Sequence, residues 1–127
     1  MTINEYIRQA CLTESKPSEE IKQRMTSDKM TRLLHAAIGL TTESGEFIDA
    51  LKKHIFYGRD LDEVNLKEEM GDLFWYLAIA CDALDVSFDA LMERNIEKLR
   101  SRYGEKFSND KANHRDLEKE HEILAKE

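Results

Sequence analysis

Apolar and small residues recur at three- and four-residue steps through the middle of the chain. Leu33, Ala37, Leu40, Ser44, Phe47 and Leu51 trace one such stripe. That spacing is the helical period, and it predicts a long helix over residues 28–56. Gly58 closes it, and residues 59–64 read as a loop. A second stripe of Leu66, Leu73, Tyr76, Ala80 and Ala83 predicts a helix running to about residue 84. Asn65 is placed to cap that helix, with Glu68 as its capping-box partner. Asp85 and Val86 make a tight turn, and Ser87 caps a further helix that Gly104 ends. Upstream, residues 2–12 form a short amphipathic helix with Tyr6, Ile7 and Ala10 on its apolar side. Ser18 caps another short helix, with Glu19 and Glu20 in the first turn where negative charge suits the dipole. Beyond Phe107 the chain turns polar, and residues 113–125 read as one more helix with few apolar anchors. The expectation is an all-α bundle of four to five helices over residues 1–107, followed by a peripheral polar arm over 108–127.

Composition narrows the function classes. With 127 residues, 41% of them hydrophobic, the chain suits one domain with a small core. The 19 basic and 26 acidic residues give a net charge of −7. That balance argues against non-specific nucleic-acid binding, which needs a basic face. It leaves a phosphorylated ligand open, because a bound divalent cation inverts the local charge. Cys11 and Cys81 match no metal or redox spacing and read as free thiols. The longest apolar stretch, residues 73–81, is far below the roughly 20 residues a membrane span needs. No secretory segment opens the chain. A cytoplasmic setting without a membrane partner is expected.

Two acidic motifs stand out against this background. Glu43-Ser44-Gly45-Glu46 and Glu69-Met70-Gly71-Asp72 each place carboxylates at i and i+3, on one side of a helix. Two antiparallel helices can bring all four to one point. Glu69 falls on the apolar stripe of its helix, and Glu43 flanks that of its own. Burying ionised carboxylates costs several kcal/mol each unless they are paired or hold a metal. The flanking stripe offers no cation, and hard oxygen ligands without His or Cys suit Mg²⁺ or Mn²⁺. On spacing and position alone, a metal site and pairing with Lys or Arg from other helices both stay open. Gly39, Gly45 and Gly71 each weaken their helices relative to alanine, which suggests a close approach of a helix or ligand.

The run Gly39-Leu40-Thr41-Thr42-Glu43-Ser44-Gly45-Glu46, followed by Glu69-Met70-Gly71-Asp72-Leu73, resembles the MazG-like all-alpha nucleotide pyrophosphohydrolases. Their signature is ExxE, a spacer, then ExxD. Asn95-Ile96-Glu97-Lys98-Leu99-Arg100-Ser101-Arg102-Tyr103-Gly104 looks like the closing helix of that group. The resemblance covers residues 30–107. It implies a helical bundle that cleaves nucleoside triphosphates to the monophosphate and pyrophosphate. It also implies a homodimer or dimer-based homotetramer, with sites near or across subunit contacts. Glu43, Glu46, Glu69 and Asp72 match the group's metal ligands, and with Mg²⁺ they would serve the attack of a water on phosphorus.

Other residues carry two readings each. Lys53 can reach a phosphate, or be a solvated cation beside Lys52. Asn95, Lys98 and Arg102 share a face suited to phosphate and sugar contacts, or to solvent beside Glu97 and Glu105. Tyr76 lies one turn after Asp72 and can meet the nucleotide or pack in the core. His35 and His54 are not expected as ligands, and His114 and His121 read as solvated. A di-iron bundle would need Glu-x-x-His on two core helices, and only Glu118 with His121 in the arm fits. A non-catalytic interaction module would not need all four acids. Phosphoribosyl-ATP hydrolysis is an alternative within the resemblance, less in keeping with the residues around Glu43.

Overall fold

A computed structural model describes residues 1–126, which contain seven helices and no strand. They are α1 (Ile3–Thr13), α2 (Glu19–Thr26), α3 (Asp28–Tyr57), α4 (Glu63–Leu84), α5 (Phe88–Tyr103), α6 (Asn109–Asn113) and α7 (Leu117–Leu124). Short polar side chains start them. Ser18, Ser27 and Ser87 each accept a hydrogen bond from the amide three residues on, satisfying a donor the helix cannot. Gly58 ends α3 in the left-handed region, φ 64°, with its N–H donated to the Lys53 carbonyl.

One boundary differs from the sequence expectation. Helix α4 starts at Glu63 because Asp62, not Asn65, is its N-cap. The Asp62 carboxylate accepts from the Asn65 amide at 3.0 Å. Asp and Asn cap about equally well, but Asp62 also brings charge to the positive end of the helix. Asn65 is thereby moved into the first turn, and its side chain is freed for other work.

Helices α3 and α4 form an antiparallel hairpin, the main packing unit of the chain. Arg32 near the start of α3 pairs with Asp82 near the end of α4 at 2.6 Å, while Glu43 lies opposite Glu69. Ala36 and Gly39 of α3, with Glu69 and Cys81 of α4, are the buried residues of these two helices. Small side chains at this seam let the backbones come close. Helix α2 packs on α3, and α1 buries no residue.

The C-terminal region corrects the expected single peripheral helix. It forms two, broken at His114, and α7 starts afresh with Asp116 as its cap. Both pack on α5. Ile123 and Glu120 are buried there, and Glu120 takes a forked ion pair from Arg102, at 2.7 Å and 2.5 Å, with Arg115 adding a further contact at 2.6 Å.

Much apolar surface stays uncovered. Leu34, Ile38, Ile48 and Ile55 form a stripe on the side of α3 opposite α4, each between 45% and 66% exposed. Phe74 and Trp75 on α4 and Leu91, Met92 and Ile96 on α5 are exposed too. Among the described residues no helix is long and apolar enough to cross a membrane.

Candidate metal centre

The stripe that seats α4 on α3 also carries the acids. Glu43 is midway along α3, and Glu69 and Asp72 are one turn apart in the first half of α4. One carboxylate oxygen from each of these three lies within 4.8 Å of the others. Glu69 is only 3% exposed, Glu43 is half-buried, and Asp72 is exposed, so the cluster is closed at its floor and open toward solvent.

Among the described residues no Lys or Arg forms an ion pair with Glu43, Glu69 or Asp72. Burial pushes the Glu69 carboxyl above its ordinary value, and the neighbouring Glu43 and Glu68 carboxyls push the same way. The Asn65 amide opposes them, donating to Glu69 Oε1 at 2.6 Å. Thr42 Oγ1 donates to Glu43 Oε1 at 3.3 Å. Crowded hard oxygens without a protein cation suit a divalent ion of the Mg²⁺ type. The three residues fit such an ion.

Glu46 is not drawn into this cluster. Three residues turn the helix by about 300°, so Glu46 sits about 60° round from Glu43, and its side chain is exposed. Tyr76 is half-buried, with its ring laid on the α3 backbone where a Cβ at Gly39 would overlap it. His35 stands edge-on to that ring at 5.6 Å, and Trp75 edge-on at 4.9 Å. Within this chain Gly39 is the close approach foreseen for the glycines, whereas Gly45 and Gly71 face open space.

Two of the cations expected to meet phosphate have carboxylate partners in the chain. Lys53 pairs with Asp49 at 2.6 Å, and Lys52 shares the same carboxylate at 2.5 Å. The two ammonium groups hold Asp49 down to about 2. Asn95 is exposed and Lys98 half-buried on α5, which packs on α6 and α7. Arg102 is not free to meet a nucleotide, because its guanidinium is committed to Glu120, which is why it faces α7. Sequence reasoning missed Asn65 as a partner of Glu69. The signal was the i, i+4 spacing, obscured by treating Asn65 as a cap.

With this geometry established, relatives of the chain become informative. The MazG nucleotide pyrophosphohydrolase domain, as a family, matches residues 33–107. This chain belongs to the MazG family. The Gene 37 protein of Mycobacterium phage L5 is 35% identical over 82 residues, which is 59% of this chain and 69% of that protein. No solved structure matches. The MazG segment takes in most of α3, all of α4 and α5, and with them the three clustered carboxylates. Helices α1, α2, α6 and α7 lie outside it.

Proposed function

We propose that this MazG-family chain hydrolyses nucleoside or deoxynucleoside triphosphates to the monophosphate and pyrophosphate, using Mg²⁺ or Mn²⁺. The convergence of Glu43, Glu69 and Asp72 carries the reading. Three unneutralised carboxylates, one of them buried, are costly to assemble without a cation. Glu43, Glu69 and Asp72 would hold the ion, with Glu46 joining from the rim. A bound cation would neutralise triphosphate oxygens and favour attack by water.

The residues of the chain do the rest. Glu69 is held rigid at the floor, while exposed Asp72 and Glu46 sit where the triphosphate enters. A carboxylate not taken up by the ion orients the attacking water and accepts its proton. The new oxygen–phosphorus bond forms at the α-phosphorus, and the bridging oxygen leaves with pyrophosphate. Tyr76, beside His35 and Trp75, offers an aromatic wall for the base. Lys53 can exchange its surface partner Asp49 for a phosphate, since an exposed pair of this kind is worth little.

Asn95 and Lys98 belong to this reading through assembly. Their helix is not packed along the α3–α4 hairpin in one chain, but both helices expose apolar faces. A homodimer, or a dimer-based tetramer, would cover those faces and bring a partner's α5 to the site. Arg102 takes part only if Glu120 releases it. The free thiols of Cys11 and Cys81 suit the cytoplasm.

The test is a panel of nucleoside triphosphates assayed for pyrophosphate release, with wild type and Glu69→Gln. Wild type should release pyrophosphate and no orthophosphate, only when Mg²⁺ or Mn²⁺ is present. Glu69→Gln should be slower by roughly 100-fold or more, the scale of several kcal/mol of lost charge stabilisation. Orthophosphate release, or an unimpaired variant, rejects the mechanism.

A further inference from the structure

Asn65 is the feature of the hairpin that the proposed reaction has not used. Its side-chain amide lies one helical turn before Glu69 and donates to Oε1 at 2.6 Å. Its backbone is fixed independently, because the Asp62 carboxylate accepts the Asn65 amide N–H at 3.0 Å. The donor is thus anchored from below, in the first turn of α4, and aimed at the one buried carboxylate of the cluster.

An ionised carboxylate only accepts hydrogen bonds, so it must face the NH₂ end of the amide. That bond pins one oxygen of Glu69 and sets the plane of the carboxylate, whose terminal torsion is otherwise broad. The remaining lone pairs are left for the space shared with Glu43 and Asp72. The chemistry of the donor matters. A Lys or Arg at this place would neutralise Glu69 and compete with a cation, whereas an amide orients it without charge. Outer residues of this kind are what hold metal ligands in a productive pose.

We infer that Asn65 is a positioning residue: it orients Glu69 for divalent-cation binding in the MazG-family centre. The inference rests on the reading of Glu43, Glu69 and Asp72 as ion ligands. A merely structural role is the other possibility to exclude, since an i, i+4 pair also stabilises a helix slightly.

The experiment measures Mn²⁺ binding to the full chain by electron paramagnetic resonance, without nucleotide, for wild type, Asn65→Ala and Asn65→Gln. Circular dichroism melts accompany each. Asn65→Ala should keep its helix content but bind Mn²⁺ about 10-fold more weakly, the lower end of such effects. Asn65→Gln, which retains the amide, should recover part of the affinity. In the pyrophosphate-release assay Asn65→Ala should need more metal for half-maximal rate, and saturating metal should restore most of kcat. Wild-type affinity in Asn65→Ala overturns the positioning role alone. A wild type that binds no Mn²⁺ removes the cation centre itself, and the inference with it.

Discussion

Glu69 shows how one residue links burial to chemistry. Its place on the apolar stripe is visible in the sequence from helical spacing alone, and the structure buries it. What spacing does not reveal is the company it keeps. Glu43 and Asp72 join it, while Glu46, equally prominent in the motif, stays at the rim. An i, i+3 pair shares a side of a helix, yet that spacing brings both Glu69 and Asp72 into the cluster and leaves Glu46 outside it, so the motif alone does not say which acids converge. Gly39 supplies a sharper test of local packing. The Tyr76 ring occupies the space a Cβ would take, so Gly39→Ala forces the ring or the helices apart. Overpacking of this kind costs about 1–3 kcal/mol, offset by about 1 kcal/mol of better helix propensity. Urea unfolding should show a net loss of stability, and the loss should shrink in a Tyr76→Leu background. An equal loss in both backgrounds would mean the ring is not the obstacle.

At the scale of elements, the long hairpin is legible in the sequence, and the C-terminal pair only in part. Helix α3 was expected over residues 28–56 and spans Asp28–Tyr57, because its stripe, its Ser27 cap and Gly58 all agree. Helix α7 lies within the helix expected over residues 113–125, but its anchoring on α5 is hidden because a charge supplies it. Hydrophobic periodicity registers Ile123 but is blind to Glu120, whose burial depends on Arg102 eighteen residues earlier and Arg115. This pairing has a pH signature. Arg102 and Arg115 hold the Glu120 carboxyl down to about 2 from an ordinary 4.5. A depressed acid stabilises the fold above its unfolded value, and that contribution is lost as pH falls from about 4.5 toward 2. Protection of the α7 amides from hydrogen exchange, corrected for the intrinsic rate at each pH, should therefore fall across that window. Glu120→Gln should exchange faster already at neutral pH, with its own acid dependence flattened. Identical profiles would show that the ion pair does not hold α7.

The whole molecule exposes many large apolar side chains. The stripe of Leu34, Ile38, Ile48 and Ile55 faces away from α4, so α3 is apolar on two opposite sides. The stripe of Leu33, Ala37, Leu40, Ser44, Phe47 and Leu51 read in the sequence does not include these residues, and a stripe does not say what will cover a second one. Under the proposed assembly a second copy does. Sedimentation should then give a dimer or tetramer. Ile48→Glu, already solvent-facing in the single chain, should shift the population toward monomer and remove most pyrophosphate release. An unchanged mass for Ile48→Glu would place the contact elsewhere. The thin seam of α3 and α4, built on Ala36 and Gly39, has a further consequence. With so little interior of its own, the chain in the proposed assembly would draw much of its stability from association, which obeys mass action. Dilution would then act as a denaturant: the melting temperature should fall with protein concentration, and the proposed pyrophosphate release should fade with it before any helix is touched by heat.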